Sequence, residues 1–251
     1  MPSNSPQADR RQFLNTLSLA GLAALAPRGA FAQKLLETAQ TTEGPYYPDK
    51  LPLDTDNDLL ILNDGVTPAL GEITHLTGHV FTSAGLPVRN AFVEIWQTDA
   101  DGSYVHTAGR QAARPYDANF QGYGRFLSDA RGQYYFRTIK PVEYTLMGMH
   151  RCPHIHVAVS QNGRRIFTSQ LLIKGHPANM GDTVVRNLDP KALQTILVDF
   201  NPLPGSKLGE LSANVDIVLG RTFNELQPSS KDSLKGTARG IGMSRRPTSS
   251  R

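Results

Sequence analysis

From Ile73 to Leu219, short runs of β-branched and aromatic residues alternate with clusters of Gly, Asp, Asn and Ser, and this alternation confines the chain to a mainly β fold. Strands are expected at Ile73–Thr82, Ala91–Gln97, Gln133–Thr138, His154–Ser160, Arg165–Leu172 and Val215–Leu219. Between them lie Ser83-Ala84-Gly85, Asp99-Ala100-Asp101-Gly102, Asp129-Ala130-Arg131-Gly132 and Gln161-Asn162-Gly163, all good turn formers, with Asn162-Gly163 the strongest hairpin signal. Asp189 followed by Pro190 marks the start of one short helix near 190–196. The expected architecture is a β-sandwich of mixed and antiparallel strands with long loops. A length of 251 residues suits one such domain, spanning 73–226.

The two ends read differently. Arg10-Arg11-Gln12-Phe13-Leu14, an apolar stretch to Ala26, and Ala30-Phe31-Ala32 follow the order of an export signal, with cleavage after Ala32. The apolar stretch is shorter than the ~20 residues a membrane span needs, so no stable span is expected. The paired arginines resemble a twin-arginine signal, which implies export of an already folded protein to the periplasm or beyond. Residues 33–72 form an N-terminal arm, Pro- and Asp-rich from Thr41 to Asn63, with no sustained period. Residues 227–251 are rich in Ser, Gly and Arg and are expected to be a disordered basic tail.

The formal charge of +4 belongs to the ends. Residues 1–32 carry +2 and residues 227–251 carry +5, so residues 33–226 are left at −3. No basic stripe with interleaved aromatics remains, which argues against a nucleic-acid partner. Cys152 is the only cysteine, so no intramolecular disulfide exists; burial as an apolar filler suits it better than metal ligation.

The densest chemical signal is Arg151-Cys152-Pro153-His154-Ile155-His156. A strand turns alternate side chains to one face, so His154 and His156 can share one metal ion, although two histidines on a solvated face would show the same spacing. Tyr104 and Tyr144 lie at loop edges and add phenols to the inventory, whereas Tyr134 and Tyr135 sit in a strand run and read as packing residues.

With Val93-Glu94-Ile95-Trp96-Gln97, Gly102-Ser103-Tyr104-Val105-His106, Gly132 through Pro141 and Arg151 through His156, the chain resembles the intradiol ring-cleavage dioxygenases from about Glu43 to Arg221. Within that family it is most like the iron-binding subunit of the protocatechuate enzymes. The resemblance implies an Fe(III) cofactor held by Tyr104, Tyr144, His154 and His156, with Tyr144 and His156 axial. It implies that Arg151 stands beside the reacting carbon, that Gln170 holds solvent or substrate, and that Trp96 lines the pocket. Tyr46, in an arm like that of the family's partner subunit, is a further candidate for substrate contact, so one chain could serve both roles, alone or as a homo-oligomer. The implied partners are a small aromatic diol and O2, cleaved to a muconate-type diacid.

Charge counting fits that ligand set. Two phenolates and one hydroxide cancel a trivalent ion, and a buried site tolerates neutrality best. Each phenol would cost about 4 kcal/mol to ionise at pH 7, which the cation must offset. The segment from Tyr144 to His154 is three residues shorter than in the protocatechuate enzymes and lacks a tryptophan there, which leaves the substrate open. A strict two-residue turn at Asn162-Gly163 would pair Gln170 with Ile155 and aim it away from the histidines, so the role of Gln170 requires a bulge or a wider loop. Two other readings compete: a non-enzymatic exported β-sandwich that binds a small molecule or partner, and a periplasmic copper or zinc carrier built on His154, His156 and Cys152 or His150.

Overall fold

The computed structural model describes residues 34–62, 65, 67–110 and 116–220. The expected export signal (1–32) and basic tail (227–251) lie outside the described residues. The strands are β1 (Ile73–Thr82), β2 (Phe92–Trp96), β3 (Tyr123–Leu127), β4 (Gln133–Ile139), β5 (Tyr144–Leu146), β6 (Met149–Arg151), β7 (His154–Gln161), β8 (Arg164–Ile173), β9 (Leu197–Val198), β10 (Phe200–Pro202), β11 (Leu211–Asn214) and β12 (Ile217–Leu219).

They build two five-stranded sheets and a ribbon. The first sheet runs β10-β11-β1-β12, with β4 also on β1; the second runs β3-β2-β7-β8-β9; β5 and β6 pair with each other. Both sheets are mixed, because β1 pairs parallel with β11 and β12 and β8 pairs parallel with β9. The main core draws on both sheets: Leu76, Val80 and Phe136 come from the first, and Val93, Ile95, Ile155, Val157, Val159, Phe167 and Leu171 from the second.

Strand β7 explains where a site can form. Its odd-numbered residues, Ile155, Val157 and Val159, enter the core, while Ala158 joins a separate cluster with Trp96, Tyr104 and Tyr144 on the opposite face. Residues 154–159 are all buried, so both faces of the strand are covered and the half-buried alternation of an outer strand is lost.

The helix α1 (Pro190–Gln194) starts as expected, with Asp189 Oδ1 accepting from the Lys191 backbone N–H at 2.8 Å. It stops short of Ile196, because that residue is buried and its carbonyl accepts from Leu172 N–H, drawing the chain alongside β8. Strands β3, β5, β6, β9, β10 and β11 have no counterpart among the expected ones. Tyr134 is a packing residue that donates to Val215 O at 2.6 Å, and Tyr135 bonds His75 Nδ1 at 2.8 Å.

Candidate active site

Four side chains from three segments converge on the outer face of the second sheet. His154 and His156 come from β7, Tyr144 opens β5, and Tyr104 is carried by the loop after β2. That loop is tied by buried Asp99, whose Oδ1 accepts from the backbone N–H groups of Asp101 and Ser103 at 3.0 and 2.9 Å. Tyr104 N–H then donates to Gly109 O at 2.9 Å. Gly109 is obligatory there, since a Cβ would come within 2.8 Å of Tyr104 Cβ.

Tyr104 Oη is the hub. It lies 3.1 Å from Tyr144 Oη, 3.2 Å from His154 Nε2 and 3.1 Å from His156 Nε2. His154 Nδ1 is 2.6 Å from Cys152 O, and a carbonyl only accepts, so the proton is on Nδ1 and the Nε2 lone pair faces Tyr104. Burial, with the Arg151 charge, pushes the His154 imidazole down to about 4, and burial with neighbouring His154 and Arg151 holds His156 well below its ordinary value. Burial also raises both phenols, Tyr104 well above the ordinary value with Tyr144 beside it adding to the effect. Every member of the cluster is therefore driven to its neutral form.

Hydrogen bonding alone serves this cluster poorly. The phenol–phenol distance exceeds the usual 2.7–2.8 Å of an O–H···O bond. His156 Nδ1 is buried with no partner among the described residues, whichever tautomer the ring adopts. By contrast, oxygen and nitrogen atoms each about 2 Å from a common ion stand about 3 Å apart. The donor set thus fits a metal ion. Among the described residues no group of three or more His, Cys, Asp and Glu side chains could hold one, and the protein donors found beside the two histidines are the phenols of Tyr104 and Tyr144. Cys152 instead packs with Leu172, Val185 and Ile196, and burial pushes its thiol up to about 12.

Arg151, at the end of β6, lies directly across the ribbon from Tyr144. Its Nε donates to Asp182 Oδ2 at 2.8 Å and its Nη2 to Gln170 Oε1 at 2.7 Å. The expected bulge exists. Asn162 and Gly163 form a tight turn with φ of 51° and 72°, and the β7–β8 register then shifts from Ser160↔Arg165 to Val159↔Phe167, which brings Gln170 opposite His156.

The three residues expected to meet substrate are all enclosed. Gln170 is fully buried, its amide divided between Arg151 and the Thr42 carbonyl, to which Nε2 donates at 2.9 Å. Trp96 has no exposed surface and stacks on His156 at 4.8 Å with planes 7° apart; it braces that imidazole from behind rather than lining a pocket. Tyr46 stacks on Tyr104 at 5.2 Å and is 6% exposed. The arm therefore reaches the site within one chain, and at Gly44 (φ 70°) an added Cβ would stand 3.4 Å from His156 Cε1. Asp182 and Thr42 were not singled out in the sequence. Asp182 reads there as a turn former, and Thr42 contributes only a backbone carbonyl, for which no side-chain pattern exists.

The fold is a β-sandwich with a buried phenol–imidazole cluster on one sheet, and comparison with known proteins gives its family. The family model described as "Dioxygenase" matches residues 42–202, and the chain belongs to the intradiol ring-cleavage dioxygenases. It is 37% identical over 194 residues to the protocatechuate 3,4-dioxygenase beta chain of Burkholderia cepacia, covering 74% of this chain and 80% of that one. It is 33% identical over 154 residues to catechol 1,2-dioxygenase 2 of Acinetobacter lwoffii, covering 56% of this chain and 52% of that one. Among solved structures it is similar to the dioxygenase domain of a dioxygenase–carbohydrate-binding fusion from Streptomyces sp. SirexAA-E, at TM-score 0.54 and 26% identity, covering 74% of this chain and all of that chain. Catechol 1,2-dioxygenase from Acinetobacter sp. ADP1 aligns at TM-score 0.55 and 25% identity, covering 84% and 70%. Membership in an enzyme family removes the ground for the non-enzymatic binding-module and metal-carrier readings.

Proposed function

We propose that this enzyme is an exported Fe(III)-dependent dioxygenase that cleaves a catechol-type ring between its hydroxyl-bearing carbons, giving a muconate-type diacid. The observation that carries the proposal is that the Tyr144 phenol oxygen and the Nε2 atoms of His154 and His156 all lie within 3.1–3.2 Å of the Tyr104 phenol oxygen. Tyr104, Tyr144, His154 and His156 would hold the ion, which when bound supplies the Lewis acidity and redox partnership that lets a catechol react with O2.

The remaining roles follow from the chain's own groups. Burial keeps both phenols protonated in the chain alone, so holding a cation would require each to release its proton to solvent. A catechol that arrives as a neutral diol must lose two protons to bind as a dianion; Tyr144 Oη, as a phenolate, would be a base able to take one, and the other would pass to solvent hydroxide. Tyr144 is the more exposed of the two phenols, 7% against 0% for Tyr104, which makes the β5–β6 side the approach for substrate. Across the ribbon, Arg151 offers a preorganised cation to negative charge that develops on the ring. Trp96, Tyr46 and Gln170 keep the ligands in place and exclude water.

Export through a twin-arginine signal at residues 1–32 is part of the proposal, and replacing Arg10-Arg11 with two lysines should retain the precursor in the cytoplasm. The arm that covers the site in cis supports a site completed by one chain, alone or in a homo-oligomer, with no second kind of chain. The direct test is oxygen uptake by iron-loaded protein supplied with catechol, protocatechuate and hydroxyquinol. Stoichiometric O2 consumption with a diacid product is expected from at least one of them. Full iron loading without uptake on any diol would overturn the proposal.

A further inference from the structure

We propose that Asp182, outside the ligand set, is a positioning residue for ring cleavage, fixing both the Arg151 guanidinium and the backbone that carries His154. The inference rests on the function proposed above and deepens it.

Asp182 ends the short 3-10 turn Pro177–Gly181 and is 1% exposed. Both of its carboxylate oxygens are used. Oδ2 accepts from Arg151 Nε at 2.8 Å and from Cys152 N–H at 3.1 Å; Oδ1 accepts from Val184 N–H at 2.8 Å and Val185 N–H at 3.4 Å. The second pair of bonds anchors the carboxylate to its own loop, so the first pair acts from a fixed point. Cys152 is in turn held at its carbonyl by His154 Nδ1 at 2.6 Å. One carboxylate therefore sets the origin of the backbone that carries a ligand and the direction of a cation.

Stability is a weak reason for such a group. A buried ion pair roughly breaks even against a well-packed apolar pair, because desolvation offsets the attraction. What an apolar pair cannot supply is direction. Arg151 has a long flexible stem, and its planar fork becomes a fixed donor only when held at two points. Asp182 holds Nε and Gln170 holds Nη2, so the guanidinium plane is defined at the ribbon position directly opposite Tyr144 of β5. Gln170 stands opposite His156 and is itself tied to Thr42 of the arm, so Arg151 is registered against the ligands from two directions.

The test uses the full iron-loaded chain with Asp182→Asn, which keeps volume and an acceptor for Arg151 but removes the charge, and Asp182→Ala as the harsher variant. Both are also made in an Arg151→Ala background. Expected for Asp182→Asn is a fall in kcat of about 10²-fold, the scale of a small misplacement at a reacting centre. Iron content and the visible absorption of the iron-loaded protein should be retained, and the anaerobic Kd for 4-nitrocatechol should stay within about threefold of wild type. In the Arg151→Ala background Asp182→Asn should cost much less than it does alone, since the part of its role that acts through Arg151 is non-additive with that residue and only its hold on the Cys152 N–H is left to lose. Should Asp182→Ala fail to fold, the asparagine variant still decides the matter. Wild-type turnover with Asp182→Asn unchanged overturns this inference alone, as does an equal loss in the Arg151→Ala background or a loss that merely tracks lost iron. A wild-type enzyme that cleaves no diol overturns the underlying function and this role together.

Discussion

On one face of β7, Ile155, Val157 and Val159 pack into the core between the sheets; on the other, His154, His156 and Ala158 meet Tyr104, Tyr144, Trp96 and the arm. Both faces are equally dry, but different physics holds them. The inner face gains from apolar area removed from water, roughly 25 cal/mol per Å2, and asks nothing else of its residues. The outer face buries polar atoms that repel charge, leaves one imidazole nitrogen unpartnered, and is enclosed by loops and an arm that contribute only a few side chains each. Apolar packing of Trp96, Tyr104 and Tyr144 accounts for part of that second face, but not for the buried imidazole nitrogen left without a partner among the described residues.

The sharpest way to separate the faces is to remove a single oxygen from the outer one. Tyr144→Phe should lower turnover of the preferred diol by at least ~10²-fold, the scale of losing one preorganised group at a reacting centre. Among the described residues its hydroxyl bonds only Tyr104, so urea denaturation of the metal-free protein should move by no more than about 1.5 kcal/mol. Ile155→Ala should behave in the opposite way. That fully buried residue should cost about 2–5 kcal/mol of stability by the same measurement, while kcat per folded molecule stays within about threefold. If Ile155→Ala silenced the enzyme while leaving it stable, the two faces would not be separable. A smaller effect should follow from Trp96→Leu, which removes the ring stacked on His156. Iron affinity should fall by about 10–100-fold, as for other groups that orient a ligand, and competition with a chelator would measure it.

The same contrast governs what could be read in advance. Inner-face residues announce themselves, because β-branched runs between turn residues define strands; β1 matches its expected span of Ile73–Thr82, and β7 and β8 run one or two residues further than expected. The His-x-His spacing was legible for a related reason, since alternation on a strand fixes a shared face, whereas Tyr104 and Tyr144 joined it only through the family resemblance. What escaped depends on tertiary partners. β3 contains Gly124, a poor strand residue, chosen because a Cβ there would stand 2.5 Å from Leu59 Cδ1. The β5–β6 ribbon turns at Met147 with φ 50°, a conformation no methionine advertises. Trp96, Tyr46 and Gln170 were recognisable as parts of the site, but their full enclosure is decided by how the arm lies over the sheet, a long-range arrangement with no local pattern.

If the site takes one ion, the two phenols, which burial keeps protonated in the metal-free protein, should both give up their protons on binding it. Titrating metal-free protein with ferric iron while recording the visible spectrum tests it, because phenolate bound to iron(III) absorbs there and protonated phenol does not. The account predicts a burgundy product at one iron per chain, with the band weakened in Tyr104→Phe and in Tyr144→Phe and preserved in Tyr134→Phe. A colourless protein carrying a full equivalent of iron, or a band indifferent to both site substitutions, would contradict it.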